Sequence, residues 1–123
     1  MKYLILIWSN PASREVWNRM PADERSRGLA VYAALNDELE RSGELIVTEA
    51  LADPSLTTRV STAGGQVVTS DGPFAEAKEL LAGFYLVDCE SRDRAVEIAA
   101  RVPEAGLGLV EVRPVMGLAD FEL

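Results

Sequence analysis

Asp71 opens the stretch best equipped for chemistry: DGPFAEAKE, in which Gly72, Pro73 and Phe74 follow the carboxylate and Glu76, Lys78 and Glu79 crowd behind. At the mouth of a cleft, with Phe74 as one wall, partial burial would raise the pKa of Asp71 and let it serve as general acid or base. The same residues also make a corner. Asp before Gly-Pro accepts backbone hydrogen bonds in a turn or caps a short helix begun by Pro73, and Gly72 supplies an unusual backbone angle. Lys78 could hold an anionic group, although Glu76, Lys78 and Glu79 also suit a solvated face with weak pairs worth ~0.2–0.5 kcal/mol each. Arg113 shares its side of a strand with Glu111. It offers a carboxylate its bidentate fork, or it forms an ion pair or interface contact. Tyr85 carries a hydroxyl that needs a partner if buried, so it lines a pocket or packs in the core, while Phe84 points the other way. Trp8 and Tyr32 face the same choice.

The chain has no histidine. That excludes a Ser-His-Asp triad, a Cys-His pair and any His-ligated zinc site within it. Acid–base work would fall to a carboxylate, a lysine, a tyrosine or Cys89 with a shifted pKa. Cys89 is the single cysteine, so no internal disulfide can form, and without a base to activate it the thiol reads as a small hydrophobe. No loop has the spacing of a calcium motif, and Gly106-x-Gly108 lacks the rest of a phosphate-binding fingerprint. No cofactor is expected. A formal net charge of -8 repels a phosphate backbone and gives no help on anionic lipid, so neither nucleic acid nor membrane is an expected partner. The apolar start is too short for a signal peptide, which makes a cytoplasmic protein the expectation, and 123 residues suit one domain.

These side chains need a scaffold, and the pattern supplies one. Residues 3–8, YLILIW, form a continuous apolar run ended by Ser9-Asn10-Pro11, as in a strand buried on both faces. A helix begins near Pro21, with Asp23 and Glu24 at its positive end. Gly28, Val31, Tyr32, Leu35 and Leu39 make its stripe, and Gly43 closes it. Strands follow at 45–51, at 57–62 and 66–70 as a hairpin around Gly64-Gly65, and at 83–89. Ser91 caps a second helix with Ala95, Ile98, Ala99 and Val102 inward, and the last strand spans 109–116. The order β-α-β, hairpin, β-α-β predicts a ferredoxin-like α+β sandwich: an antiparallel sheet with two helices on one face. The other face would be apolar and uncovered, which predicts a homodimer packed sheet against sheet.

The runs LNDELERSGEL (35–45), ALADPS (50–55), DGPFAEAKE (71–79), AGFYLVDCES (82–91) and VEVRPVM (110–116) together resemble the YCII-related family, in particular its DGPF-motif branch. The resemblance implies a dimeric α+β barrel over nearly the whole chain. It also implies association with an extracytoplasmic-function sigma factor system. Some YCII-type proteins are proposed to use a His-Asp pair, and this chain lacks the histidine; Ala77 stands where the motif usually has threonine. Three functions follow as expectations. The first is a small-molecule-binding or regulatory module acting as a homodimer. The second is a cofactor-free hydrolase or isomerase of a small ring compound, with Asp71 as acid or base and Lys78, Tyr85 or Arg113 orienting substrate. The third is a protein-interaction scaffold.

Overall fold

The computed structural model describes residues 1–71 and 78–121. It is an α+β fold built on a four-stranded antiparallel sheet. The chain runs through β1 (Lys2–Ser9), α1 (Pro11–Arg19), α2 (Ala22–Ser42), β2 (Leu45–Ala50), β3 (Thr58–Ala63), β4 (Gln66–Asp71), β5 (Leu80–Asp88), α3 (Arg92–Ala100) and β6 (Val110–Pro114). The sheet order β2-β5-β1-β6 is ferredoxin-like, while β3 and β4 form a separate two-stranded ribbon.

Cross-strand partners share a face, so the register sorts the sheet into two surfaces. Rows Thr48–Tyr85–Ile5–Val112 and Ala50–Gly83–Ile7–Val110 face the helices. Leu35 and Leu39 of α2 and Ala95, Ile98 and Ala99 of α3 close over them, and Val102 completes the cluster. At ~1.5–3 kcal/mol per large side chain, this burial is the main source of stability. Rows Val47–Leu86–Leu4–Arg113 and Glu49–Phe84–Leu6–Glu111 make the opposite face. Neither α2 nor α3 covers these rows, since their buried residues join the first cluster, and α1 buries none of its own.

The local signals act as their chemistry dictates. Gly43 ends α2 at φ 78°, where a side chain would be strained. The Ser91 hydroxyl accepts from the Arg94 backbone N–H at 3.1 Å and starts α3. Gly83 is needed because a Cβ there would lie 2.9 Å from the Glu49 carbonyl oxygen of β2. A half-buried fork joins the layers: Arg94 donates from Nε and Nη2 to the two Glu44 oxygens at 2.9 and 2.8 Å.

Two expectations change. Ser9-Asn10-Pro11 does end β1, but it also begins a helix absent from the sequence reading. The Asn10 side chain accepts from the Ser13 N–H at 2.7 Å, Ser13 Oγ accepts from the Asn10 N–H at 2.9 Å, and Pro11 supplies a preset first turn. The long helix also buries a narrower stripe than its pattern offered. Leu35 and Leu39 are fully buried, whereas Val31 remains 48% exposed. No helix among the described residues is long and apolar enough to cross a membrane.

Candidate functional site: an apolar hollow beside Arg14

The sequence candidates do not converge. Asp71 is exposed at the end of β4, opposite Thr58 in the ribbon. Phe74 lies outside the described residues. Lys78 is exposed, two residues ahead of β5. Tyr85 is buried on the helix side of the sheet, and Arg113 is exposed on the other side, next to Leu4. Tyr85 and Arg113 are therefore separated by the sheet itself.

Tyr85 belongs to a half-buried polar group between the layers. Its hydroxyl donates to Asn36 Oδ1 of α2. The neighbouring Thr48 hydroxyl donates to the Phe84 carbonyl at 2.9 Å. One turn before Asn36, the Tyr32 hydroxyl donates to the Glu104 carboxylate, which lies on the 3₁₀ turn Pro103–Leu107. Burial pushes both phenols above their ordinary pKa, and the Glu104 carboxylate adds to the effect on each. Neutral phenols with satisfied hydroxyls make this a clamp of α2 onto the sheet rather than an exposed acid–base pair. Cys89 is also buried, its thiol raised by burial and donating to the Ser91 carbonyl at 3.4 Å.

The open chemistry lies where β2 leaves the sheet and β5 enters it. Leu51, Ala52, Pro54, Thr57, Leu80 and Leu81 line a hollow of about 250 Å³. Its walls are fixed from both sides. The Leu51 N–H donates to the Ala82 carbonyl at 2.8 Å, and Asp53 caps the short turn Pro54–Leu56 by accepting from the Ser55 N–H at 2.9 Å. That backbone hydrogen bond holds the Asp53 carboxyl below its ordinary pKa, with Ser55's side chain and the charge of Arg14 assisting.

Arg14 is linked through Ser9 to the lining residue Leu80. Its Nη1 donates to Ser9 Oγ at a long 3.4 Å, and Ser9 Oγ donates to the carbonyl of the lining residue Leu80 at 3.3 Å. Its charge is felt at Asp53, which sits between the lining residues Ala52 and Pro54. Among the described residues no carboxylate forms an ion pair with Arg14. Trp8 lies opposite the lining residue Leu81, just past a break in register, and its indole Nε1 is buried without a partner. The hollow is lined mostly by apolar side chains and, among the described residues, by no carboxylate that could move a proton.

Arg14 and Ser9 escaped the sequence reading because α1 did. The signal was present in Asn10-Pro11-x-Ser13, a cap followed by a first-turn proline. Trp8 reads in the sequence as core or pocket. Nothing local in the sequence indicates that its N–H lacks a partner.

A family model described as the YCII-related domain matches residues 1–119. An uncharacterised protein of Rhizobium meliloti (strain 1021) is 31% identical over 116 residues, covering 93% of this chain and 91% of that one.

Proposed function

Because this chain belongs to the YCII-related domain family, whose description carries no activity, we propose from its geometry that it is a small-molecule-binding module acting as a homodimer. The observation that carries the binding role is the hollow lined by Leu51, Ala52, Pro54, Thr57, Leu80 and Leu81: about 250 Å³ of mostly apolar space. The open sheet face supports the dimer. Leu4, Leu6, Phe84 and Leu86 form its apolar centre, and Glu49, Glu111 and Arg113 give it a rim of both charge signs. An apolar centre within a polar rim is the anatomy of a protein interface. The DGPF run assigns the chain to that branch by resemblance, and a ligand-sensing companion of an extracytoplasmic-function sigma factor is the regulatory role such a dimer would play.

Thermal unfolding in a metabolite screen, with mass measured under native conditions, tests both halves. A ligand at 100 times its Kd stabilises by about 2.7 kcal/mol. The native species should have about twice the 13.4 kDa chain mass. A melting temperature unmoved across the screen would overturn the binding role, and a monomer at micromolar concentration would overturn the dimer.

A further inference from the structure

The six residues of β3 and the six of β4 are all exposed. The two strands pair only with each other, and among the described residues no other strand or helix packs extensively on them. Two strands alone are marginally stable at best in water; they need a third strand or a packed face. On the reading of this protein as a homodimer, we propose that the ribbon is an arm whose Val60–Val67 face packs on the second copy of the chain.

The register sorts the ribbon into two faces. Thr58, Val60, Thr62, Val67 and Thr69 share one of them, with Asp71 at its end. Arg59, Ser61 and Ser70 point the other way. The first face is built from β-branched side chains, which pack well on a pleated surface, yet Val60 and Val67 stand 64% and 70% exposed.

The area of the chain points to a second copy as the occupant. The chain exposes 8693 Å². A compact monomer of its mass, 13.4 kDa, exposes about 6,500 Å². The surplus of roughly 2,200 Å² lies within the ~1,000–2,500 Å² that each subunit of an obligate dimer covers. The charge pattern allows the contact. At a net charge of -8 two copies repel, so they meet best through surfaces poor in charge. The Val60–Val67 face carries Asp71 alone, at its margin. Under two-fold symmetry each arm is received by the other subunit, so one dimer covers both.

The test uses the full chain with Val60→Thr and Val67→Thr together. Threonine keeps the shape and strand preference of valine, so the ribbon stays folded, but hydroxyls now enter the contact. Exchange of subunits between isotope-labelled and unlabelled dimers is followed by native mass. It should run at least about tenfold faster in the variant than in the parent, because a weakened interface dissociates sooner. In the parent dimer the hydrogen-bonded amides of the ribbon should exchange with deuterium at least about tenfold more slowly than unstructured amides. Ser61→Ala, on the opposite face, should leave subunit exchange unchanged, and an equal acceleration there overturns the assignment of the face. An unchanged rate in the double variant, or ribbon amides that exchange freely within an intact dimer, overturns the arm and leaves the dimer standing. A monomer at micromolar concentration overturns the homodimer reading and the arm with it. If the double variant fails to fold, protection of the ribbon amides in the unaltered dimer decides the arm.

Discussion

Replacing Gly83 by alanine puts the packing of β2 against β5 under direct test. The new Cβ would lie 2.9 Å from the Glu49 carbonyl oxygen and 3.4 Å from the Ala50 Cα, both backbone atoms of β2. A methyl group cannot approach a carbonyl so closely, so the two strands must separate by several tenths of an ångström. Overpacking of this kind costs ~1–3 kcal/mol. Alanine recovers ~0.4–1 kcal/mol by reducing the freedom of the unfolded chain. The net loss is therefore ~0.5–2 kcal/mol. For a chain of 123 residues the unfolding entropy near the midpoint is about 0.26 kcal/mol/K, so Tm should fall by ~2–8 °C. Gly28→Ala is the matched control. Gly28 lies within α2, and a Cβ there meets nothing within 4 Å. Its helix propensity alone should raise stability by ~0.5–1 kcal/mol. Urea and thermal unfolding of both variants at one protein concentration separate packing from propensity. A Gly83→Ala protein as stable as the parent would refute the argument, because it would show that β2 yields without cost.

Arg94→Ala should cost ~1–2 kcal/mol, since it removes the bidentate partner of Glu44 where α2, β2 and α3 meet. The same pair predicts an acid limb. Hydrogen bonds from Arg94 hold the Glu44 carboxyl below its ordinary pKa in the folded state. On acidification the unfolded chain takes up this proton first, near pH ~4.3, so the pair's contribution is complete above that pH and is lost as pH falls through the lower folded value. Urea midpoints at pH 6 and pH 3.5 should draw closer together in Arg94→Ala than in the parent; an unchanged gap would point to other carboxylates. Asp71→Asn should alter stability by less than ~0.5 kcal/mol, because Asp71 is exposed at the ribbon's end. It should also leave binding at the hollow unchanged, and a titration showing a tenfold loss would bring Asp71 back as a ligand contact.

Much of the scaffold was legible in the sequence, because the signals that specify it are local. The run YLILIW makes the inner strand β1, Ser91 and Gly43 bound helices through their own side chain and backbone, and Gly64-Gly65 turns a hairpin, with both glycines at positive φ. Alternation along β6 separated Val110 and Val112 from Glu111 and Arg113 before any coordinates. The signal for α1 is local too: Pro11 stops β1 and, with Asn10 before it and Ser13 after, also starts a helix.

The site was not legible. Its walls come from residues around 51–57 and 80–81, with Ser9 of β1 bonded to the Leu80 carbonyl behind them. Those segments meet only because β2 pairs with β5 and β5 pairs with β1. Asp71 is conspicuous because its neighbours in sequence are unusual; Leu51 and Leu80 matter because of what lies beside them in space. Sequence by itself determined which segments become strands and helices, since periodicity, caps and turns act within a few residues. Tertiary structure alone decided where a void remains and which donors are left unpaired, because packing and hydrogen-bond satisfaction depend on contacts between distant parts of the chain.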